Sequence, residues 1–142
     1  MSPIYLFTLV LLAATGLLTF WRGGAWERTM AVALAIAWII SDLAPFDYRT
    51  PPWAAIGADA AVFMWVLYGL LRSGRRWMSA AAAFQFLVLA THFVFATRAD
   101  LEQWAYVSAY YVWTIGVIAS LCAGALQRPR ASSERERPQR RA

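Results

Sequence analysis

Two residues of this chain could do chemistry together. Asp59 is a carboxylate and His92 is the single imidazole, and each sits inside a long apolar run. An ionisable group costs free energy in such a setting and turns toward a partner or toward water. A carboxylate against one ring nitrogen would orient the imidazole and leave the other nitrogen to take or give a proton. Three more residues fall in the same zone, Ser108 and Tyr111, one turn apart, and Asp42, while Gln85 lies seven residues before His92 on the same helical face but deeper. Three readings compete. A catalytic site would use His92 as general base, Asp59 as its orienting acceptor and Ser108 as nucleophile. A ligand pocket facing the outer side would use the same groups for recognition. A satisfied polar network would only fix the register of the helices that carry it. No nucleophile motif surrounds Ser108, and nothing in the sequence supplies an oxyanion hole or a metal, so no residue is assigned a catalytic role.

These residues must be positioned by five apolar runs: Ile4 to Trp21, Trp26 to Leu43, Trp53 to Leu71, Trp77 to Ala96 and Trp104 to Leu126. Each is long enough to cross a bilayer, and a backbone in hydrocarbon has to satisfy its own hydrogen bonds, so all five are expected as helices. The second is the weakest, because Glu27 and Arg28 leave only Thr29 to Leu43 as clean apolar sequence. Charge placement supports it nonetheless. All Arg residues except Arg49 and Arg98 fall in the first connection, the third connection and the tail. An odd number of spans puts those segments on one side, which the positive-inside bias makes cytoplasmic, with the N-terminus outside. The first run lacks a basic start and a small-residue cleavage site, so it reads as a retained span. Asp59 then lies about 9 Å beyond Trp53 along its helix and His92 about 6 Å before Ala96, at similar depth on antiparallel neighbours. The expectation is an all-α bundle over 1–127, followed by a disordered basic cytoplasmic tail over 128–142 that lies near anionic headgroups.

Composition agrees. The 142 residues are 61 % hydrophobic and 15 % charged, with mean hydropathy +0.48. That is far too apolar for an ordinary water-soluble domain. One Cys and one His exclude a disulfide framework and a zinc, haem or iron–sulfur centre built from paired ligands of this chain alone. Cys122 reads as a small packing residue. Of eight Trp, five (Trp21, Trp26, Trp53, Trp77 and Trp104) fall at span ends, where interfacial anchoring explains them. Small residues recur at helical spacing at Ala33, Ala37 and Ser41, and at Gly116, Ser120 and Gly124, which would let helices approach closely.

Arg22-Gly23-Gly24, Asp59, the run from Arg72 to Trp77, Gln85 and His92 resemble the pattern of a group of small five-pass bacterial inner-membrane proteins. Those have a short Arg-Gly-Gly connection, an Asp in span three, and a Gln and a His in span four. The resemblance covers most of Ile4 to Leu126 and implies a fold and a membrane but no activity. Pro51-Pro52-Trp53, Trp65 and Leu67-Tyr68 are similar to elements of the tryptophan-rich sensory proteins of the translocator family, which bind porphyrins and sterol-like molecules. Here the Pro-Pro-Trp stretch precedes the third span rather than the second, and the family's Gln-Leu and Asn-Trp pattern is missing after Gln85. The functional expectation is a non-enzymatic accessory or interaction subunit of the bacterial inner membrane. Its partners would be the lipid bilayer and a second membrane protein or another copy of the chain, with no cofactor, metal or nucleic acid. The alternative is an intramembrane binder of a hydrophobic or tetrapyrrole-like ligand, with Asp59, His92, Ser108, Tyr111, Gln85 and Asp42 as its candidate pocket. Transport by a single chain is disfavoured, since no inverted repeat or broken-helix pair is visible.

Overall fold

Runs of Leu, Ala, Val, Ile and Phe, with Pro kept out of their interiors, wind into five helices. The structure, a computed structural model, describes residues 3–44, 51–97 and 103–127. The helices are α1 (Pro3–Arg22), α2 (Ala25–Leu43), α3 (Trp53–Ser73), α4 (Arg76–Thr97) and α5 (Gln103–Leu126), with no strand among the described residues. Four of them, α1, α3, α4 and α5, are long and apolar enough to cross a membrane. α2 falls short, since Glu27 and Arg28 at its start and Asp42 near its end dilute the apolar stretch. The basic tail, Arg49 and Arg98 lie outside the described residues.

Two tight turns form one end of the bundle, and each has an identifiable cause. After α1, the Gly23 N–H donates to the Thr19 carbonyl at 2.8 Å. A Cβ at Gly23 would come within 2.5 Å of that same oxygen and 2.9 Å of the Glu27 Cβ, so only glycine fits. The Glu27 carboxylate then reaches back to accept the Gly24 N–H at 2.9 Å, covering one of the donors that a helix start leaves without an intrahelical partner. α3 ends at Gly74, whose φ of +61° is left-handed and whose N–H returns to the Leu70 carbonyl at 2.8 Å.

The helices close into a ring. α1 packs on α2, α2 on α3, α3 on α4, α4 on α5, and α5 returns to α1, while α2 also touches α5 across the middle. The α4–α5 contact is the broadest, and glycine explains its closeness. Gly116 lies under the Phe84 ring and Gly124 under the Trp77 indole, with a Cβ at either site falling 2.5–2.7 Å from ring carbons. Trp77 is therefore buried rather than standing as an interfacial anchor, because the missing side chain of Gly124 makes room for it. Trp21, Trp53 and Trp104 are exposed at helix ends, and Trp26 is half-buried against Trp65 and Tyr68.

Polarity runs inward. α1 buries Thr8, Leu12, Thr15 and Thr19 and exposes Phe7, Val10, Leu17 and Phe20. Thr8 and Thr19 donate to their own helix, at the carbonyls of Ile4 and Gly16, both at 2.7 Å, so the buried hydroxyls are satisfied without a partner helix. Large apolar side chains such as Ile36, Ile39, Met64, Phe86 and Phe93 cover the outside. The middle of the ring is filled by Met30, Leu34, Val62, Val66, Ala81, Val117, Ile118 and Leu121.

Candidate functional site

Three helices build one polar cluster inside this apolar ring. On α3, Asp59 shares the buried face with Ala55, Val62 and Val66. On α4, Gln85, Val88 and His92 follow one another at helical spacing. α5 brings Tyr106.

Gln85 and His92 are two turns apart, about 10 Å along the axis, and both reach the same carboxylate. Gln85 Nε2 donates to Asp59 Oδ1 at 2.9 Å and to the Asp59 carbonyl oxygen at 3.2 Å. His92 Nε2 lies 2.9 Å from Asp59 Oδ2. The other ring nitrogen, Nδ1, lies 2.9 Å from the Tyr106 hydroxyl. The result is an unbroken chain, Gln85–Asp59–His92–Tyr106, with Gln85 and His92 each only 1 % exposed. Tyr106 and Tyr110 flank the imidazole, with ring centroids 5.8 and 5.5 Å away, and Phe95 stacks on Tyr106 at 4.2 Å.

Two protonation patterns satisfy this geometry. With a neutral imidazole beside an ionised Asp59, Nε2–H donates to the carboxylate and Nδ1 accepts from the Tyr106 hydroxyl. With an imidazolium, both ring N–H groups donate and the Tyr106 oxygen accepts. In both patterns Nε2–H donates to Asp59, and only the direction of the Nδ1–Tyr106 hydrogen bond differs.

Comparison with protein-family models, with curated proteins and with solved structures finds no match. The chemistry must be read from the side chains alone.

Of the six residues singled out by type and spacing, the structure brings Asp59, His92 and Gln85 into direct contact. Tyr111 stands one position further round α5, its ring against Tyr110 at 5.7 Å and Trp38 at 6.4 Å. Ser108 is exposed on α5. It lies two residues, some 200° of helix rotation, from Tyr106 and so faces away from the imidazole. Asp42 is exposed near the end of α2 and accepts the Tyr5 hydroxyl at 3.1 Å, apart from Asp59. Tyr106 is the member that sequence reasoning missed. Its signal was the stripe Tyr106, Tyr110, Thr114, Val117, Leu121 and Gly124, which marks the inner face of α5. Tyr110 itself is only partly covered.

A second polar contact lies at the end that carries the two tight turns. Glu27, 1 % exposed, forms an ion pair with Arg75 from the α3–α4 turn while it holds the Gly24 N–H. This carboxylate thus ties the α1–α2 turn to the α3–α4 turn. Among the described residues no group of three metal-ligating side chains occurs. Outside the ring, an open groove of about 260 Å³ runs between α4 and α5, with Leu87, Thr91, Val94, Tyr106, Ala109 and Trp113 on its walls.

Proposed function

We propose that this chain is a five-span protein of the bacterial inner membrane, with its N-terminus outside and its tail in the cytoplasm, acting as a non-enzymatic accessory or interaction subunit. Inward polarity and an apolar exterior suit a hydrocarbon solvent. The clustering of Arg22, Arg28, Arg72, Arg75 and Arg76 at one end suits the cytoplasmic face. The charge in the first turn of α2 no longer argues against a span, since Glu27 is neutralised by Arg75 at that same end.

One observation carries the functional reading: the groups able to do chemistry spend their hydrogen bonds on one another inside the bundle. Asp59 takes Gln85 on one oxygen and His92 on the other, and His92 takes Tyr106 on its remaining nitrogen. Such a closed network fixes helix register and leaves no general base aimed at a substrate. Recognition then falls to the exterior, where helices present apolar and aromatic surface. A second reading, binding of a hydrophobic small molecule, is favoured by the α4–α5 groove, whose polar walls are Thr91 and Tyr106.

Native mass spectrometry after gentle solubilisation separates the two. A subunit comes out in a complex heavier than the 15.9 kDa chain, and a binder comes out as a monomer with a small-molecule adduct. A bare monomer under every mild condition overturns both.

A further inference from the structure

A small cavity lies on the axis of the ring, and all five helices reach it. It measures about 20 Å³, with Leu12 of α1 and Ala37 of α2 among its apolar walls. Its polar walls are Asp59 of α3, Gln85 of α4, and Tyr110 and Thr114 of α5. A space of about 10–15 Å³ on this measure already holds one water, provided that two to four polar groups surround it. A purely apolar cavity of this size would stay dry. This one would not, because its walls carry unspent hydrogen-bonding capacity. Gln85 uses its NH₂ group on Asp59, and among the described residues its amide oxygen Oε1 receives no hydrogen bond. Thr114 donates its hydroxyl proton to the Tyr110 carbonyl at 2.8 Å, which leaves its oxygen free to accept. The Tyr110 hydroxyl meets the side chain of Thr114, and the second lone pair of the Thr114 oxygen stays open to the cavity.

We propose that this axial cavity binds one water molecule, which donates to Gln85 Oε1 and to Thr114 Oγ1. The water then stands at the Asp59 end of the Asp59–His92–Tyr106 chain, and Tyr106 stands on the wall of the α4–α5 groove at the other. The polar core becomes a hydrated unit that connects the axis of the bundle to its surface.

Proton-detected solid-state NMR on the full chain in lipid bilayers tests it. The wild type should show a cross-peak between the Gln85 side-chain amide and a bound-water resonance. That cross-peak should disappear in Ala37→Val, which extends a wall into the cavity, and weaken in Thr114→Val, which removes an acceptor with little change of shape. His92 shifts that stay near wild type in either variant show that the cluster itself is intact. Absence of the cross-peak in wild type overturns the proposal, whether or not the variants fold. So does a cross-peak that survives Ala37→Val unchanged. Movement of the Gln85 signals when sodium is replaced by choline would mean a cation instead of water and would equally overturn it.

Discussion

Replacing Asp59 by Leu or by Asn probes the cluster with opposite expectations, because the two substitutions differ in what they leave unpaired. Leu removes both carboxylate oxygens. Gln85 keeps its bond to the backbone carbonyl of residue 59, but the His92 Nε2 proton loses its acceptor in a buried site. An unsatisfied buried donor costs about 1–3 kcal/mol. Interhelical hydrogen bonds in membranes average only about 0.6 kcal/mol, because the dissociated helices find other partners. With two bonds lost and one donor stranded, Asp59→Leu should destabilise the bundle by about 2–4 kcal/mol. Asn keeps one oxygen for Gln85 and presents an NH₂ group to His92. The ring can answer by shifting its proton to Nδ1, so that Nε2 accepts from the Asn while Nδ1–H donates to Tyr106. The competing solution, a flipped Gln85 amide, would sacrifice the bond to the backbone carbonyl. Asp59→Asn should therefore cost about 1 kcal/mol or less and leave His92 with its proton on Nδ1 and none on Nε2. Reversible unfolding in mixed micelles reads the first quantity and imidazole ¹⁵N shifts read the second. Combining Asp59→Leu with Gln85→Leu and His92→Phe should cost less than the sum of the single changes, since the His92 Nε2 donor then goes together with its acceptor. An Asp59→Leu protein within 0.5 kcal/mol of wild type, or an Asp59→Asn protein whose His92 keeps its proton on Nε2, would refute the reasoning.

Glycine positions give an internal control on packing. Gly116→Val should cost about 1–3 kcal/mol in the same assay, since its Cβ would start 2.5 Å from the Phe84 ring, and Phe84→Ala in the same chain should recover part of that. Gly57→Ala, where nothing lies within 4 Å, should be neutral or stabilising by about 0.5–1 kcal/mol; equal losses at both sites would contradict the packing argument. For the orientation, a reporter active only in the periplasm and fused after Ala142 should stay silent, and the same reporter fused ahead of Met1 should be active. The reverse pattern would turn the proposed topology inside out.

What could be read from sequence follows from how strongly each residue is constrained. Asp59 and His92 are costly in their apolar runs, and a short turn at Gly74 makes their helices antiparallel neighbours, so few partners were open to either. Gln85 shares a helical face with His92 and follows from it. Tyr106 did not follow, because a tyrosine near the end of an apolar run has an ordinary explanation at an interface. Ser108 and Tyr111, the polar pair that spacing offers on α5, point to a different rotation of that helix. That rotation is set further along, where Gly116 and Gly124 admit the rings of Phe84 and Trp77. The small-residue stripe was visible, but the aromatic partners that select one face of it lie on another helix. Glu27 shows the same limit: its charge weakened the case for α2, and the Arg75 that cancels it lies forty-eight residues later. Interior positions must match specific neighbours, whereas an outward position on these apolar helices need only be apolar. The sequence is therefore informative about the polar core and sparing about the exterior.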